Sequence, residues 1–415
     1  MYAIKIRNLI LKQGEICDHC LGRQVWLNYR GKHKGIVPTK IGAAMRSAKT
    51  DKDIDKNLKK NLKVKETKKC FVCHGLFYEV PKMTKLVLDT AKKYEFNSFL
   101  VGSRFSKDIQ FREEELWTKI GIKDVEPIKR EVNTLIGMKV EKRTGKKAEF
   151  KYPDVVFLAD FDTGKVKTQL NSLYLYGRYQ KLIRGIPQTK WPCSECGGRG
   201  CKSCSFTGKQ YKDSVEDLIA PYVIKTFKAR DESFHGEGRE DIDALMLGSG
   251  RPFVFEVKEP VVRNADLKKL EKSINKAAKG KIKITGLRHS NLLEMRQIKA
   301  HSHDKSYEAI IECKRVTKKD LEKLEKFFKN KVINQKTPQR VLHRRADLLR
   351  KRKIKKLRCT PLGKGKFKAE LLTEAGTYIK ELVSGDKERT KPSFSSVIKK
   401  PCVVKELDVT GIEDA

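Results

Sequence analysis

No run of apolar residues in this 415-residue chain approaches the ~20 needed to cross a bilayer; the best, residues 155–159 and 252–257, end quickly at charged residues. A membrane-spanning protein is excluded, and the sequence predicts a soluble one with no membrane partner. An amphipathic helix pairing a Trp/Phe face with a Lys face is also missing, which weighs against a lipid-surface protein. The N-terminal MYAIKIRNLILKQGEICDHC has no uninterrupted apolar segment and no small-residue cleavage site, so the chain is expected to be unprocessed and cytoplasmic. There is no internal repeat. Acidic residues are scarce beside basic ones: 52 Asp and Glu against 92 Lys and Arg give a formal charge of +40.

Such an excess makes the free protein repel itself unless a polyanion is its normal partner, and nucleic acid fits that description. Part of the excess is ordinary solvated helix face, as in residues 53–69. The chain is 39% hydrophobic, enough for packed cores at a length suited to two or three domains.

Eight of the eleven cysteines form four CxxC units: Cys17/Cys20, Cys70/Cys73, Cys193/Cys196 and Cys201/Cys204. In a chain expected to be intracellular, this pattern points to metal rather than disulfides. Thiolates two residues apart turn onto one ion, and four complete a tetrahedron around zinc. In WPCSECGGRGCKSCSFTG the glycines beside the sulfurs suit a self-contained knuckle. The other quartet closes only if the Lys-rich, helix-prone insertion at 41–65 folds back. His19 and His74 lie beside it but are not needed as ligands. Cys313, Cys359 and Cys402 are isolated and read as small buried hydrophobes.

Periodicity predicts an α+β chain. Helices are expected at 83–94, 106–120 and 127–135, a strand at 98–101, and a hairpin of strands 155–159 and 166–175 joined by DFDTGK. Beyond the knuckle come a helix at 215–227, a strand at 252–257, a helix at 264–279 capped by Asn264, and strands at 282–285 and 307–315. A helix at 318–328 follows, with Thr317 as its cap and Asp320 reaching back. Residues 340–358, RVLHRRADLLRKRKIKKLR, place ten Lys or Arg among nineteen positions, interleaved with aliphatics. That density predicts an anchored strand or arm that touches phosphates.

Polar residues are densest in HGEGREDIDALMLGSG, residues 235–250. As a nucleotide-cofactor loop LGSGRP fails, because such a loop opens a helix whereas Arg251-Pro252 leads into a strand. Gly238-Arg239-Glu240-Asp241 instead suits a tight turn presenting a carboxylate beside an arginine, where it stays ionised as nucleophile or base.

FHGEGREDIDALMLGSGRPFVFEV, YLYGRYQKLIRGIPQTKWPC, RVLHRRADLLR and LLTEAGTYIKELVSGDKERTKPS, with the N-terminal CDHCLGRQ and CFVCHGLF, resemble the archaeal and eukaryotic tRNA pseudouridine synthase family that acts on the T-loop. The resemblance implies a zinc-bearing, THUMP-related RNA-binding module at 1–175. It implies a catalytic domain of pseudouridine synthase fold at 176–415, with a mixed, largely antiparallel sheet and an inserted knuckle at 191–208. The implied activity is isomerisation of uridine to pseudouridine at tRNA position 55 and also 54, with structural Zn²⁺ and no organic cofactor. Asp241 matches the catalytic aspartate in its Arg239-x-Asp setting, with Asp243 as the competing carboxylate. Tyr307 matches the tyrosine that stacks on the target base, Lys380 the basic partner of the aspartate, and Leu382 the apolar pocket floor.

The chemistry supports these residue types, since a stacked uridine must be extruded and its lost stacking replaced by an aromatic face. Tyr176, Arg178, Tyr179, Lys181 and Arg184 form one expected RNA-gripping segment; Arg340, His343, Arg344, Arg345, Arg350 and Arg352 form another. The expected partner is tRNA, bound by a monomer without an obligate protein partner. The quartets and the charge alone would equally suit a non-catalytic zinc-dependent tRNA- or rRNA-binding protein. A THUMP-linked methyltransferase or thiolase would need a donor loop or a pyrophosphatase loop, and neither is visible.

Overall fold

The computed structural model describes residues 2–123 and 125–413, without the side chain of Arg344. The chain divides into two compact units, Met1–Asn171 with Val261–Arg263 and Ser172–Pro260 with Asn264–Ala415.

In the first unit, short helices Asp18–Arg23, Pro38–Arg46 and Asp51–Leu58 gather around the first cysteine quartet. Two of them touch backbone to backbone. A Cβ on Gly22 would lie 1.8 Å from the Pro38 carbonyl oxygen, and one on Gly42 2.1 Å from that of Asp18. Gly42→Ala is therefore expected to lower the unfolding free energy of this unit by about 3 kcal/mol or more, read by chemical denaturation; an unchanged midpoint would refute the close crossing.

Helices Leu76–Ala91, Lys107–Ile120 and Ile128–Thr144 accompany a four-stranded sheet in the order Lys147–Ala148, Ser98–Arg104, Val155–Asp160, Lys165–Leu170. Val155, Phe157 and Ala159 alternate into the core, as period-two strand residues must. The helix expected at 127–135 runs on to Thr144. Ile128, Val132, Ile136 and Val140 continue the buried stripe until Gly145 caps it in the left-handed conformation, and Pro127 sits just outside as the N-cap.

The strand expected at 166–175 is two strands in different sheets. Asn171 closes the first sheet, its side chain donating to the Pro153 carbonyl at 2.6 Å. Leu173–Lys181 then starts the second sheet, with Ser172 Oγ donating to Glu256 at 2.9 Å. The structural boundary thus falls at Asn171/Ser172, because a boundary after 175 would cut a continuous strand.

The second unit is built on a ten-stranded sheet. Its path runs Thr390–Lys391, Lys331–Lys336, Leu349–Gly363, Lys366–Thr373, Lys305–Glu312, Val403–Ile412, Leu245–Lys258, Leu173–Lys181, Ile282–Ser290, with Asp231–Gly236 also paired to Leu245–Lys258. Among the described pairs in this sheet, Val403–Ile412 against Leu245–Lys258 is parallel and the rest are antiparallel. One core gathers Tyr179, Phe234, Phe253 and Phe255 under helix Val215–Phe227; another gathers Phe328, Phe367 and Phe394.

Thr317 and Asp320 form the expected reciprocal cap of helix Lys318–Phe328. The helix expected at 264–279 spans Leu267–Ala277, and its N-cap is Asp266, whose carboxylate accepts from the Lys269 N–H at 3.0 Å, rather than Asn264. The strand expected at 252–257 is more than twice as long, Leu245–Lys258, and absorbs the LGSGRP glycines. Gly248 and Gly250 have positive φ, and a Cβ there would meet the Thr410 carbonyl oxygen at 2.1 Å and that of Tyr179 at 2.8 Å. They allow close strand approach at an irregularity in the ladder. The basic run begins as a short 3₁₀ turn, Gln339–Arg344, and from Leu349 becomes a strand paired on both sides.

Candidate active site

The turn between Asp231–Gly236 and Leu245–Lys258 carries Asp241, and a buried polar network fixes it from below. Strand Leu173–Lys181 alternates Leu175, Gly177, Tyr179 and Lys181 inward. The Tyr179 hydroxyl donates to Glu240 at 2.8 Å and accepts from Gln188 at 2.7 Å, while Arg251 Nε donates to Glu240 at 2.9 Å. Arg251 also donates to the Glu237 carbonyl at 2.7 Å. Lys181 Nζ donates to the carbonyls of Ile186, Asp241 and Ile242 at 2.9, 3.0 and 3.1 Å. Burial pushes the Lys181 pKa down and the Glu240 carboxylate opposes that push.

Tyr179 and Lys181 are thus corrected from RNA-gripping residues to supports of the turn: both are fully buried with their polar atoms engaged. Arg184 serves the same end. It donates to the Asp243 and Leu407 carbonyls and pairs with Asp408 at 2.7 Å. Arg178 is tied to Ser249 and Gly250. Tyr176 carries the Arg288 guanidinium 4.1 Å above its ring.

On the open side Asp241 is held by two cations. Arg340 approaches both carboxylate oxygens, NH1 to Oδ1 at 3.2 Å and NH2 to Oδ2 at 3.1 Å, and its Nε donates to Glu381 at 2.8 Å. Lys380 Nζ lies 3.3 Å from Asp241 Oδ2 and closer, 2.7 Å, to Asp243. Burial raises the Asp241 pKa, but Arg340 and Lys380 outweigh it and hold the carboxyl below its ordinary value. Arg340, expected only among phosphate contacts, is the principal partner of Asp241.

Asp241, Arg340 and Lys380 line a cleft of about 420 Å³, together with Tyr307, Arg239, Arg345, Arg350 and Arg352. Tyr307 is half-buried on strand Lys305–Glu312, and burial pushes its phenol up to about 12, so it presents a neutral ring. Arg239 sits over the Trp191 ring at 5.1 Å, in the cleft wall beside the knuckle. Arg345 donates to the Tyr378 hydroxyl at 3.1 Å, and Arg350 to Thr337 at 2.9 Å. His343 is exposed in the 3₁₀ turn; the side chain of Arg344 lies outside the described residues. Leu382 does not form the pocket floor. It is fully buried in the core with Val383 and Phe394, and the apolar lining comes instead from Ile379, Val409 and Leu407.

Both cysteine quartets have the geometry of metal sites. The four ligand sulfurs of each set lie within 4.8 Å of one another, with Cys17–Cys73 at 3.7 Å and Cys193–Cys201 and Cys196–Cys204 at 3.9 Å. A tetrahedron with ~2.3 Å metal–sulfur bonds needs about 3.8 Å. Backbone N–H groups of Gly200, Cys201 and Gly208 point at the knuckle sulfurs, and the Arg23 guanidinium at Cys20. His19 is a buried neighbour, bonded to Glu131 at 2.6 Å and stacked on Phe77. Cys313 and Cys402 are buried as expected, while Cys359 is half-buried.

A family model described as Pus10, C-terminal, matches residues 174–413, and one described as Pus10 THUMP domain, archaeal, matches 83–160. The tRNA pseudouridine synthase Pus10 of Methanocaldococcus jannaschii is 41% identical over 84% of this chain and 76% of that protein. The tRNA pseudouridine synthase Pus10 of Pyrococcus furiosus is 38% identical over 98% and 96%, and that of Methanopyrus kandleri 36% over 97% of each. A mixed sheet that raises a cation-clasped carboxylate into a basic cleft is thus found in a chain that matches this group almost end to end, and the chain belongs to the Pus10 family of pseudouridine synthases.

Proposed function

We propose that this protein converts uridine to pseudouridine in the T-loop of tRNA, at position 55 and also at 54, with Asp241 as the catalytic carboxylate. The observation that carries the residue assignment is the turn: Asp241 lines the cleft and is clasped there by Arg340 and Lys380, whereas Asp243 is twice as exposed, 66% against 32%, and meets only Lys380 of these two cations. The family membership supports the reaction, and the cleft's cations suit an RNA backbone.

The reaction moves the base from N1 to C5. Either Asp241 attacks C1′ and breaks the C1′–N1 bond, so that uracil leaves as the anion, or it removes the C2′ proton as that bond breaks to give a glycal; both routes need an ionised carboxylate. The base then turns and C5 bonds to C1′, which displaces the Asp241 carboxylate from its ester or, on the glycal route, accompanies return of the proton to C2′; loss of the C5 proton restores the ring and N1 takes up a proton. Tyr307 supplies the ring against which an extruded uracil stacks, and Ile379 and Leu407 supply apolar walls. Arg345, Arg350 and Arg352 hold phosphates near the cleft mouth, in a monomer that acts on tRNA in the cytoplasm. Chemical mapping of pseudouridine in an unmodified tRNA transcript after incubation with the protein tests this reading.

The electrostatics set the pH behaviour. With the Asp241 pKa depressed, activity should stay flat through neutral pH and fall only below the ordinary carboxylate range of ~3.9. Arg340→Ala removes the larger opposing charge and leaves burial less opposed, so the acid limb of the single-turnover rate should move toward neutral pH. An unmoved limb would deny Arg340 this role.

We assign zinc to both quartets, on the softness and tetrahedral spacing of four thiolates. Elemental analysis of purified protein should give two zinc ions per chain, and one would leave a quartet without metal.

A further inference from the structure

A third group of metal-ligating side chains stands at the rim of the cleft, outside the chemistry above. Glu237 is fully buried; its Oε2 accepts from His303 Nδ1 at 3.1 Å, and its Oε1 has no hydrogen-bond partner. His301 is exposed, with its ring centroid 4.8 Å from that of His303. One ligand atom from each of the three lies within 4.8 Å of the others.

We propose that Glu237, His301 and His303 bind a divalent ion of borderline softness, of the Zn²⁺, Co²⁺ or Ni²⁺ class. Two imidazoles and a carboxylate are the donor set such ions favour over Mg²⁺ or Ca²⁺. The buried Glu237 Oε1 makes no hydrogen bond and has only the Lys305 ammonium at 3.6 Å, so it keeps a lone pair for a coordinated cation. Donors on a tetrahedral ion with ~2.0–2.1 Å bonds sit about 3.3 Å apart, so the group must close slightly, which rotation of the exposed His301 permits. Two cations oppose the ion. Lys305 Nζ is 3.6 Å from Glu237 Oε1, and Arg251 donates to the Glu237 carbonyl, so affinity should fall well short of that of a four-thiolate site.

Such an ion would tie residues 301–303, which lead into the strand bearing Tyr307, to the turn bearing Asp241, and so fix the two sides of the cleft relative to each other. Its role is to clamp the rim.

The test adds Co²⁺ to protein whose quartets are already zinc-loaded, followed by calorimetry and visible spectroscopy. One further equivalent is expected, with weak ligand-field bands and no thiolate charge transfer. His301→Ala and His303→Ala should each weaken it at least tenfold, and Lys305→Met should tighten it several-fold by removing the opposing charge. Absence of a further equivalent, or an affinity in either histidine variant equal to that of the unaltered protein, would overturn the proposal. Cobalt that enters a quartet instead carries the sulfur charge-transfer band, so a failure of the zinc assignment is seen separately.

Discussion

Asp241→Asn is expected to lower single-turnover pseudouridine formation on the order of 10⁴-fold, the scale seen when an essential catalytic group is removed. The substitution keeps the side-chain volume, and the turn stays supported from below by Lys181 and the Glu240–Arg251 pair, so the protein should fold. Its effect on tRNA binding should run the other way. Losing the carboxylate leaves Arg340 and Lys380 without their shared anion at Asp241, so the cleft becomes more positive and affinity should hold or rise, most visibly at low salt. Asp243→Asn gives the contrast. That carboxylate is two-thirds exposed and pairs with Lys380 at 2.7 Å, so its loss should cost about tenfold or less. If the two variants exchanged phenotypes, the catalytic carboxylate would be Asp243.

The second large effect concerns stability. Arg251 and Glu240 form an ion pair with side chains 1% and 0% exposed, joined by Tyr179 and the Glu237 carbonyl. Arg251→Met removes the cation hydrogen-bonded to the buried Glu240 carboxylate and leaves it Lys181 at 3.8 Å, and removing one partner of such a pair typically costs ~3–5 kcal/mol, with Lys181 placing the loss toward the lower end. Denaturant unfolding of the catalytic unit should show a loss of that size, together with reduced turnover as the turn loosens. The double variant Arg251→Met/Glu240→Leu removes both members of the pair and leaves Lys181 bonded to the carbonyls of Ile186, Asp241 and Ile242; it should recover part of the stability without recovering activity. If the single variant unfolds at the wild-type midpoint, the network does not hold the turn.

How far the sequence spoke depended on whether its pattern matched its setting. The cysteine quartets were legible because CxxC spacing is local chemistry; even the split first quartet needed only a chain that folds back. The turn that sets Asp241 beside cations was legible from Gly238-Arg239-Glu240-Asp241, although the cations that reach it are Arg340 and Lys380. Within 176–184 the aromatic and cationic composition hides the period-two alternation that buries Tyr179 and Lys181 and leaves Tyr176 and Arg178 half-buried. A strand reading of those residues would have separated supports from contacts. Arg340 was placed among phosphate contacts because its partner lies 99 residues away, a contact that sheet topology creates and spacing does not reveal. Leu382 as pocket floor rests on the resemblance alone; in a short helix the neighbours of Lys380 divide between core and cleft, and Ile379 reaches both. Helix and strand ends moved for the same reason. Asp266 caps its helix two residues beyond Asn264, where the chain actually turns into the helix.

The most direct measurement of the central claim is to incubate the protein with an unmodified tRNA transcript and to map pseudouridine chemically, beside the Asp241→Ala variant. Product in the T-loop with the wild-type chain and none with the variant is the predicted result. Tight tRNA binding without any pseudouridine would contradict it, and would leave a metal-bearing RNA-binding protein in place of an enzyme.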